Sequence, residues 1–177
     1  RLLAWPAPYP QGPEMATGGL GEGAGGNILV GMEVTAPRTA DEFERYFELR
    51  WQVLRDPFKQ PRGSERDELD QPGCGTEHAV IFADTGEAIA AGRIQLNTPE
   101  EAQIRYMAVA ESRRGEGLGR LIVRRLEEIA RSRGATYVVL NARDEAVGFY
   151  GTLGYEVVGI GPTIFGSVTH SHMSRTL

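Results

Sequence analysis

The stretch Arg113-Arg114-Gly115-Glu116-Gly117-Leu118-Gly119 decides how this chain folds. Before it, Gln103 to Val109 alternates in character and predicts a strand. After it, Leu118 to Arg133 carries apolar residues at helical spacing and predicts an amphipathic helix. A glycine-rich turn from strand into helix leaves backbone N–H groups free at a helix N-terminus. Such a turn binds anions, phosphate foremost. A P-loop needs Gly-Lys-Ser/Thr at the end of the glycines, whereas Gly119 is followed by Arg120 and Leu121. A dinucleotide fingerprint needs a third glycine three places after the second. Counting from either glycine pair, that place holds Arg120 or Ile122. The pattern present is Arg-x-x-Gly-x-Gly, at Arg114, Gly117 and Gly119. Taken alone, the turn leaves open a loop that binds nothing.

Working outward, Gly134 is placed to end the helix as its C-cap. Thr136-Tyr137-Val138-Val139-Leu140 is a short β-branched and aromatic run, read as a buried parallel strand ending at Asn141. Asp144 is placed to cap a second helix carrying Phe149-Tyr150-Gly151-Thr152-Leu153-Gly154-Tyr155. Gly148 and Gly151 each weaken that helix by about 1 kcal/mol relative to alanine, so a short helix is expected.

Arg114-x-x-Gly117-x-Gly119, the run Ile104 to Val109 before it and the Phe149-Tyr150-x-x-Leu153-Gly154-Tyr155 signature together resemble the GNAT superfamily of acyl-CoA N-acyltransferases. The resemblance covers roughly residues 33–177. It implies a mixed α/β sheet splayed between two central strands, with helices on both faces and coenzyme A lying in the split as a pseudo-strand. Met107, Ala108 and Val109 would then meet the pantetheine arm. Arg114, Gly115, Glu116, Gly117, Leu118 and Gly119 would surround the pyrophosphate, with Arg120 adding charge. Acetyl-CoA would be the co-substrate, and Tyr150 would protonate the departing thiolate. Asn141, at the split, would bind substrate or cofactor. Gly151 and Thr152 depart from the charged residues the family commonly carries after the tyrosine.

The residues themselves qualify these roles. Tyr150 can equally pack beside Phe149, Arg120 can be a solvated helix residue, and Asn141 can be a helix-entry cap. His170 and His172 alternate on the terminal strand and share one sheet face, where one could act as base. Two histidines at this spacing also suit a metal, but no Cys/His/Asp cluster accompanies them, so no metal is expected. Glu65, Asp67, Glu68 and Asp70 form an acidic loop. In the resembling family this region often overhangs the acceptor, and an acidic rim would attract a cationic amine. A solvated charge run is the plainer alternative. Thr39 and Glu42 form a capping box that opens a helix with Phe43, Tyr46, Phe47, Arg50 and Leu54 on one face. Arg50 interrupts that apolar stripe. It either reaches a polar cleft and the acceptor, or snorkels at the helix edge.

The remaining strands are expected at Met32 to Thr35, extending as far back as Ile28, and at His78 to Phe82 and Ala88 to Leu96 around the turn Asp84-Thr85-Gly86. Two more are expected at Tyr155 to Gly159 and Val168 to Met173. Residues 1–31 are dense in Gly and Pro and lack a signal-peptide pattern. They are read as a flexible tail ahead of one domain over residues 32–177. The net charge of −5 disfavours a nucleic-acid partner, and the single cysteine, Cys74, precludes an intrachain disulfide. No apolar run approaches a membrane span. Composition fits a cytoplasmic enzyme; the resemblance implies a small-molecule amine or peptide acceptor, and a homodimer stays open. A GNAT-fold module that binds an acyl-CoA as a sensor, without turnover, is the competing reading.

Overall fold

The computed structural model describes residues 32–177. The proposed tail and the extension of the first strand to Ile28 lie outside the described residues. Six strands form one mixed sheet in the order β1-β2-β3-β4-β6-β5. The strands are β1 (Glu77–Phe82), β2 (Ala88–Leu96), β3 (Glu101–Val109), β4 (Tyr137–Arg143), β5 (Glu156–Ile160) and β6 (His170–Thr176). Only β3 and β4 run parallel. The expected strand at Met32 to Thr35 reduces to a single bridge, Thr35 to Val80.

Helix α1 (Ala40–Leu54) opens on the full capping box, Thr39 with Glu42, and buries Phe43, Tyr46 and Phe47 against one face of the sheet. Helix α2 (Leu118–Ser132) buries Leu118, Ile122, Val123 and Leu126 against the other face. Its close seat on β2 depends on Gly92. A Cβ there would fall 2.6–2.9 Å from Met107, Ile122 and Leu126. The C-terminus of α2 is a Schellman motif. Ala135 N–H donates to the Ala130 carbonyl and Gly134 N–H to that of Arg131, with Gly134 at φ +90°. Helix α3 (Val147–Gly151) is little more than one turn, as its glycines imply. Asp144 does not cap it; its carboxylate accepts the Thr169 hydroxyl instead.

The sheet is split by one irregularity. On β2 and β3, Arg93 faces Arg105 but Ala91 faces Ala108, so β3 holds one extra residue. Tyr106 sits in this bulge at φ +55°. The bulge reverses side-chain parity, so Ile104 joins the core under α2 while Ala108 joins the core under α1. β3 and β4 pair only from Glu101–Tyr137 to Gln103–Val139. Beyond that register the strands part, and the edge of β3 lies open.

Gly92, opposite the bulge, has its carbonyl satisfied by the Tyr46 hydroxyl at 3.2 Å. The same hydroxyl lies 3.2 Å from His78 Nδ1. His78 is 5% exposed and boxed edge-on by Phe43 and Tyr46, and burial pushes its imidazole down to about 4. The unfolded chain protonates this group near about 6.5. Below that pH the unfolded state takes up a proton that the folded state refuses, so stability falls as pH drops toward 4. The loss from this group is about 2 kcal/mol by about pH 5, and nothing is lost above about pH 7. Urea midpoints at about pH 7 and about pH 5 test this, with His78→Gln as control. The control is expected to flatten the slope, and equal slopes in both proteins would refute it.

Candidate functional site

The turn between β3 and α2 has the backbone geometry of an anion nest. Gly115 and Gly117 both take φ +83°, so successive amides turn to a common side. The backbone N–H groups of Gly115, Glu116, Gly117, Leu118 and Gly119 have no partner among the described residues; the first paired amide is that of Arg120, to the Gly117 carbonyl. No side chain caps α2, no acidic residue stands in its first turn, and Arg120 is placed there against the helix dipole. Each choice is poor for the helix alone and favourable for a bound anion. Glu116 offers only its amide. Its carboxylate is held by Arg113 at 2.8 Å and stays out of the cleft lining.

The turn is the mouth of a cleft of about 650 Å³ that runs into the split between β3 and β4. Met107, Ala108 and Val109 line one wall, Leu140 to Arg143 the other, and Phe149 and Tyr150 also face it. Ala110 N–H donates to Ile89 on β2. By strand alternation, the peptide groups of Met107 and Val109 then point to the open edge. A Cβ on Gly119 would come within 3.2 Å of Phe149, so the helix end and this ring leave little room between them.

Tyr150 is 6% exposed, packed edge-on against Phe149 and Tyr155. Its hydroxyl makes no hydrogen bond to the described residues, and burial raises its pKa well above the usual phenol range. Both packing and an available proton therefore coexist in this side chain. Asn141 is a strand residue rather than a cap, since β4 continues to Arg143. Its Oδ1 accepts from His172 Nδ1 at 2.9 Å across the β4–β6 register. His170 lines the cleft and His172 does not. His170 Nδ1 lies 2.9 Å from the Pro162 carbonyl, which can only accept. Nδ1 therefore carries the proton in the neutral ring, leaving the Nε2 lone pair available. Among the described residues no group of three or more His, Cys, Asp or Glu could hold a metal.

The acidic loop and Arg50 are placed elsewhere. None of Arg50, Glu65, Asp67 and Glu68 lines the cleft. Arg50 does not snorkel and is buried outside the cleft lining. At 0% exposure it is paired with Asp70 at 2.8 and 3.1 Å, donates to the Glu65 carbonyl, and lies 3.7 Å above the Tyr106 ring. Arg93, also 0% exposed, bridges Asp70 and Asp67. Asp67 in addition accepts the Tyr106 hydroxyl at 3.0 Å. Burial raises the Asp67 carboxyl, but Arg93, Tyr106 and the Leu69 amide outweigh it and hold the group at about 2. These carboxylates are thus spent neutralising buried guanidiniums under the bulge rather than forming an attractive rim. Glu68 is exposed and outside the lining.

What the sequence reading missed is the basic character of the cleft. Arg55, Arg105, Arg113, Arg114, Arg120 and Arg143 line it, against one carboxylate, Glu145. Arg143 was legible in principle: it continues the Val139, Asn141 alternation on one face of β4.

A mixed sheet split along its parallel pair, with a glycine-rich nest at the mouth of the cleft, defines an α/β protein with an open strand edge beside that nest. The chain belongs to the Acetyltransferase (GNAT) family, whose model matches residues 40–155. It is 27% identical over 144 residues to the uncharacterized N-acetyltransferase YjcF of Bacillus subtilis strain 168, covering 81% of this chain and 99% of that protein. The crystal structure of an acyl-CoA N-acyltransferase from Pseudomonas aeruginosa superposes with a TM-score of 0.68 at 26% identity, covering 81% of this chain and 99% of that one. An aminoglycoside 6′-N-acetyltransferase complexed with coenzyme A superposes with a TM-score of 0.69 at 16% identity, covering 82% and 97%. Among the described residues no helix is long and apolar enough to cross a membrane.

Proposed function

We propose that this protein transfers an acetyl group from acetyl-CoA to a primary amine by direct attack. The observation that carries the reading is the run of unpartnered amides from Gly115 to Gly119 at the mouth of the β3–β4 split. These amides, with Arg114 and Arg120, suit a pyrophosphate. The open peptide groups of Met107 and Val109 suit the amides of a pantetheine arm. Acetyl-CoA supplies the acyl group as a thioester. In the transfer, the amine nitrogen bonds to the carbonyl carbon as the carbon–sulfur bond breaks. The Tyr150 hydroxyl faces the same cleft, gives its proton to the departing sulfur and is reprotonated by the proton that the newly acylated nitrogen sheds. His170, through Nε2, is the candidate to take the proton that the acceptor ammonium must lose. His172 orients Asn141, whose side chain faces the split.

Coenzyme A titration tests the cofactor part directly. Gly119→Asp and Gly117→Asp are expected to abolish binding, because a carboxylate would face the pyrophosphate at close range. The fold is expected to survive Gly119→Asp, since the nearest obstruction is the outer edge of the Phe149 ring, itself 36% exposed. Gly117→Asp adds the strain of φ +83°. Undiminished coenzyme A binding in both variants, or preference for ATP, would overturn the assignment.

A further inference from the structure

At the α1 end of the cleft two guanidiniums converge on one acceptor. Arg55 donates to the Leu54 carbonyl at 3.0 Å and Arg143 to the same oxygen at 3.5 Å. Among the described residues the Arg55 guanidinium otherwise bonds only the Ser64 carbonyl, at 2.8 Å. The carboxylate paired with Arg143 there is Glu145, at 3.8 Å and 80% exposed. Among the described residues Arg55 hydrogen-bonds only to carbonyl oxygens, with Glu65 near enough to act on its charge, and Arg143 has a weak, solvated contact. The arginines packed in or against the fold core behave differently: Arg50, Arg66, Arg93 and Arg175 pair with carboxylates at 3.0 Å or closer.

Both side chains are held in place. Arg143 lies 4.9 Å over Phe58 and Arg55 5.3 Å over Phe165, and these two rings stack on each other at 5.5 Å. Burial, with Arg50 and Arg143, pulls Arg55 below the usual guanidinium range against the opposing pull of Tyr106 and Glu65. Burial, with Arg114, does the same to Arg143. Two half-buried, pre-oriented cations, neither within 3.5 Å of a carboxylate among the described residues, are poised for an anion in a chain of net charge −5.

Resting on the transferase reading above, we propose that the acceptor amine carries an anionic group, a carboxylate or a phosphate, which Arg55 and Arg143 bind. This replaces the expectation of a cationic acceptor drawn to an acidic loop. The Glu65, Asp67 and Asp70 carboxylates that would have attracted it face Arg66, Arg93 and Arg50. The amine end of the acceptor then points along the cleft toward His170 and Tyr150, and the anion fixes which amines enter.

The test uses amine pairs that differ in one anionic group: O-phosphoethanolamine against ethanolamine, and β-alanine against its amide. Thiol release from acetyl-CoA is measured for each pair, and each is also titrated into coenzyme-A-loaded protein so that binding is read without turnover. One anionic member, carboxylate or phosphate, is expected to be preferred by at least about tenfold, the effect of one charge-assisted hydrogen bond. Arg55→Gln and Arg143→Gln are expected to remove most of that preference, through KM more than kcat, while coenzyme A affinity is kept. Arg143→Lys is expected to retain part of it and controls for disrupted packing. Failure to bind coenzyme A at all would reject the transferase reading. The same titrations into the ligand-free protein would still report on the two arginines. Equal or better use of the neutral members, no binding of either anionic member, or variants that lose coenzyme A affinity instead of acceptor preference would each overturn the proposal.

Discussion

Tyr150→Phe is expected to lower the rate of thiol release by about 10²–10⁴-fold at saturating acetyl-CoA. That corresponds to about 3–5 kcal/mol of lost transition-state stabilisation. The expectation rests on three features of the residue. Its ring is buried between Phe149 and Tyr155, so the substitution keeps the packing. Its hydroxyl has no hydrogen bond within the described residues, so removing it orphans no partner. Burial keeps the phenol protonated across the neutral range, as a proton donor must be. Thermal stability and coenzyme A affinity are therefore expected to change little, and the loss should lie in kcat. Equal turnover in the variant would remove Tyr150 from the mechanism. A large fall in melting temperature would assign it to packing instead. The assay becomes available once an amine from the anionic panel turns over.

The largest stability effect is expected from Asp70→Ala. Asp70 is 2% exposed and is the carboxylate shared by Arg50 and Arg93, both 0% exposed. Burial alone would raise its pKa, but the hydrogen bonds and charges of these two arginines hold it below the usual carboxylate range. Without it, Arg93 keeps Asp67, but Arg50 retains only the Glu65 carbonyl, the Tyr46 hydroxyl and aromatic faces. An uncompensated buried charge of this kind costs about 3–5 kcal/mol. For a domain of this size that is a fall of roughly 10 °C in melting temperature. Denaturant midpoints measure it. The double variant Arg50→Met/Asp70→Leu is expected to recover most of the loss, since a packed apolar pair avoids desolvating either ion. A single variant within about 1 kcal/mol of wild type would show that water reaches the pair. Because the network grips Tyr106 at the bulge, loss of Asp70 is also expected to loosen the split that the cofactor enters.

The local elements were readable in the sequence because their causes are local. Thr39 and Glu42 announce α1, Gly134 stops α2, and Asp84-Thr85-Gly86 joins β1 to β2; each is a turn or cap fixed by a few neighbouring residues. The anion turn was readable for the same reason, since Gly115 and Gly117 are needed for its positive φ angles. The resemblance carried by Arg114 to Gly119 and by Phe149 to Tyr155 pointed to the family that the chain belongs to. The sequence also placed His170 and His172 on one face, because strand alternation has period two.

Charge pairing was not readable, because it depends on contacts between distant segments. Asp67 and Asp70 look like a solvated run until Arg50 on α1 and Arg93 on β2 are folded against them. Arg50 looks like a helix-edge residue until Tyr106 covers it. Tyr106 itself gives no sign of its bulge, since one extra residue in a strand is defined only by the strand it pairs with. Arg55 and Arg143 lie far apart in the chain and meet only because β4 ends beside the C-terminus of α1. The sequence by itself determined most of the elements, the glycine turn and the family. The tertiary structure alone decided which charges are spent inside the fold and which are left to face the cleft, because desolvation and pairing are properties of where side chains meet.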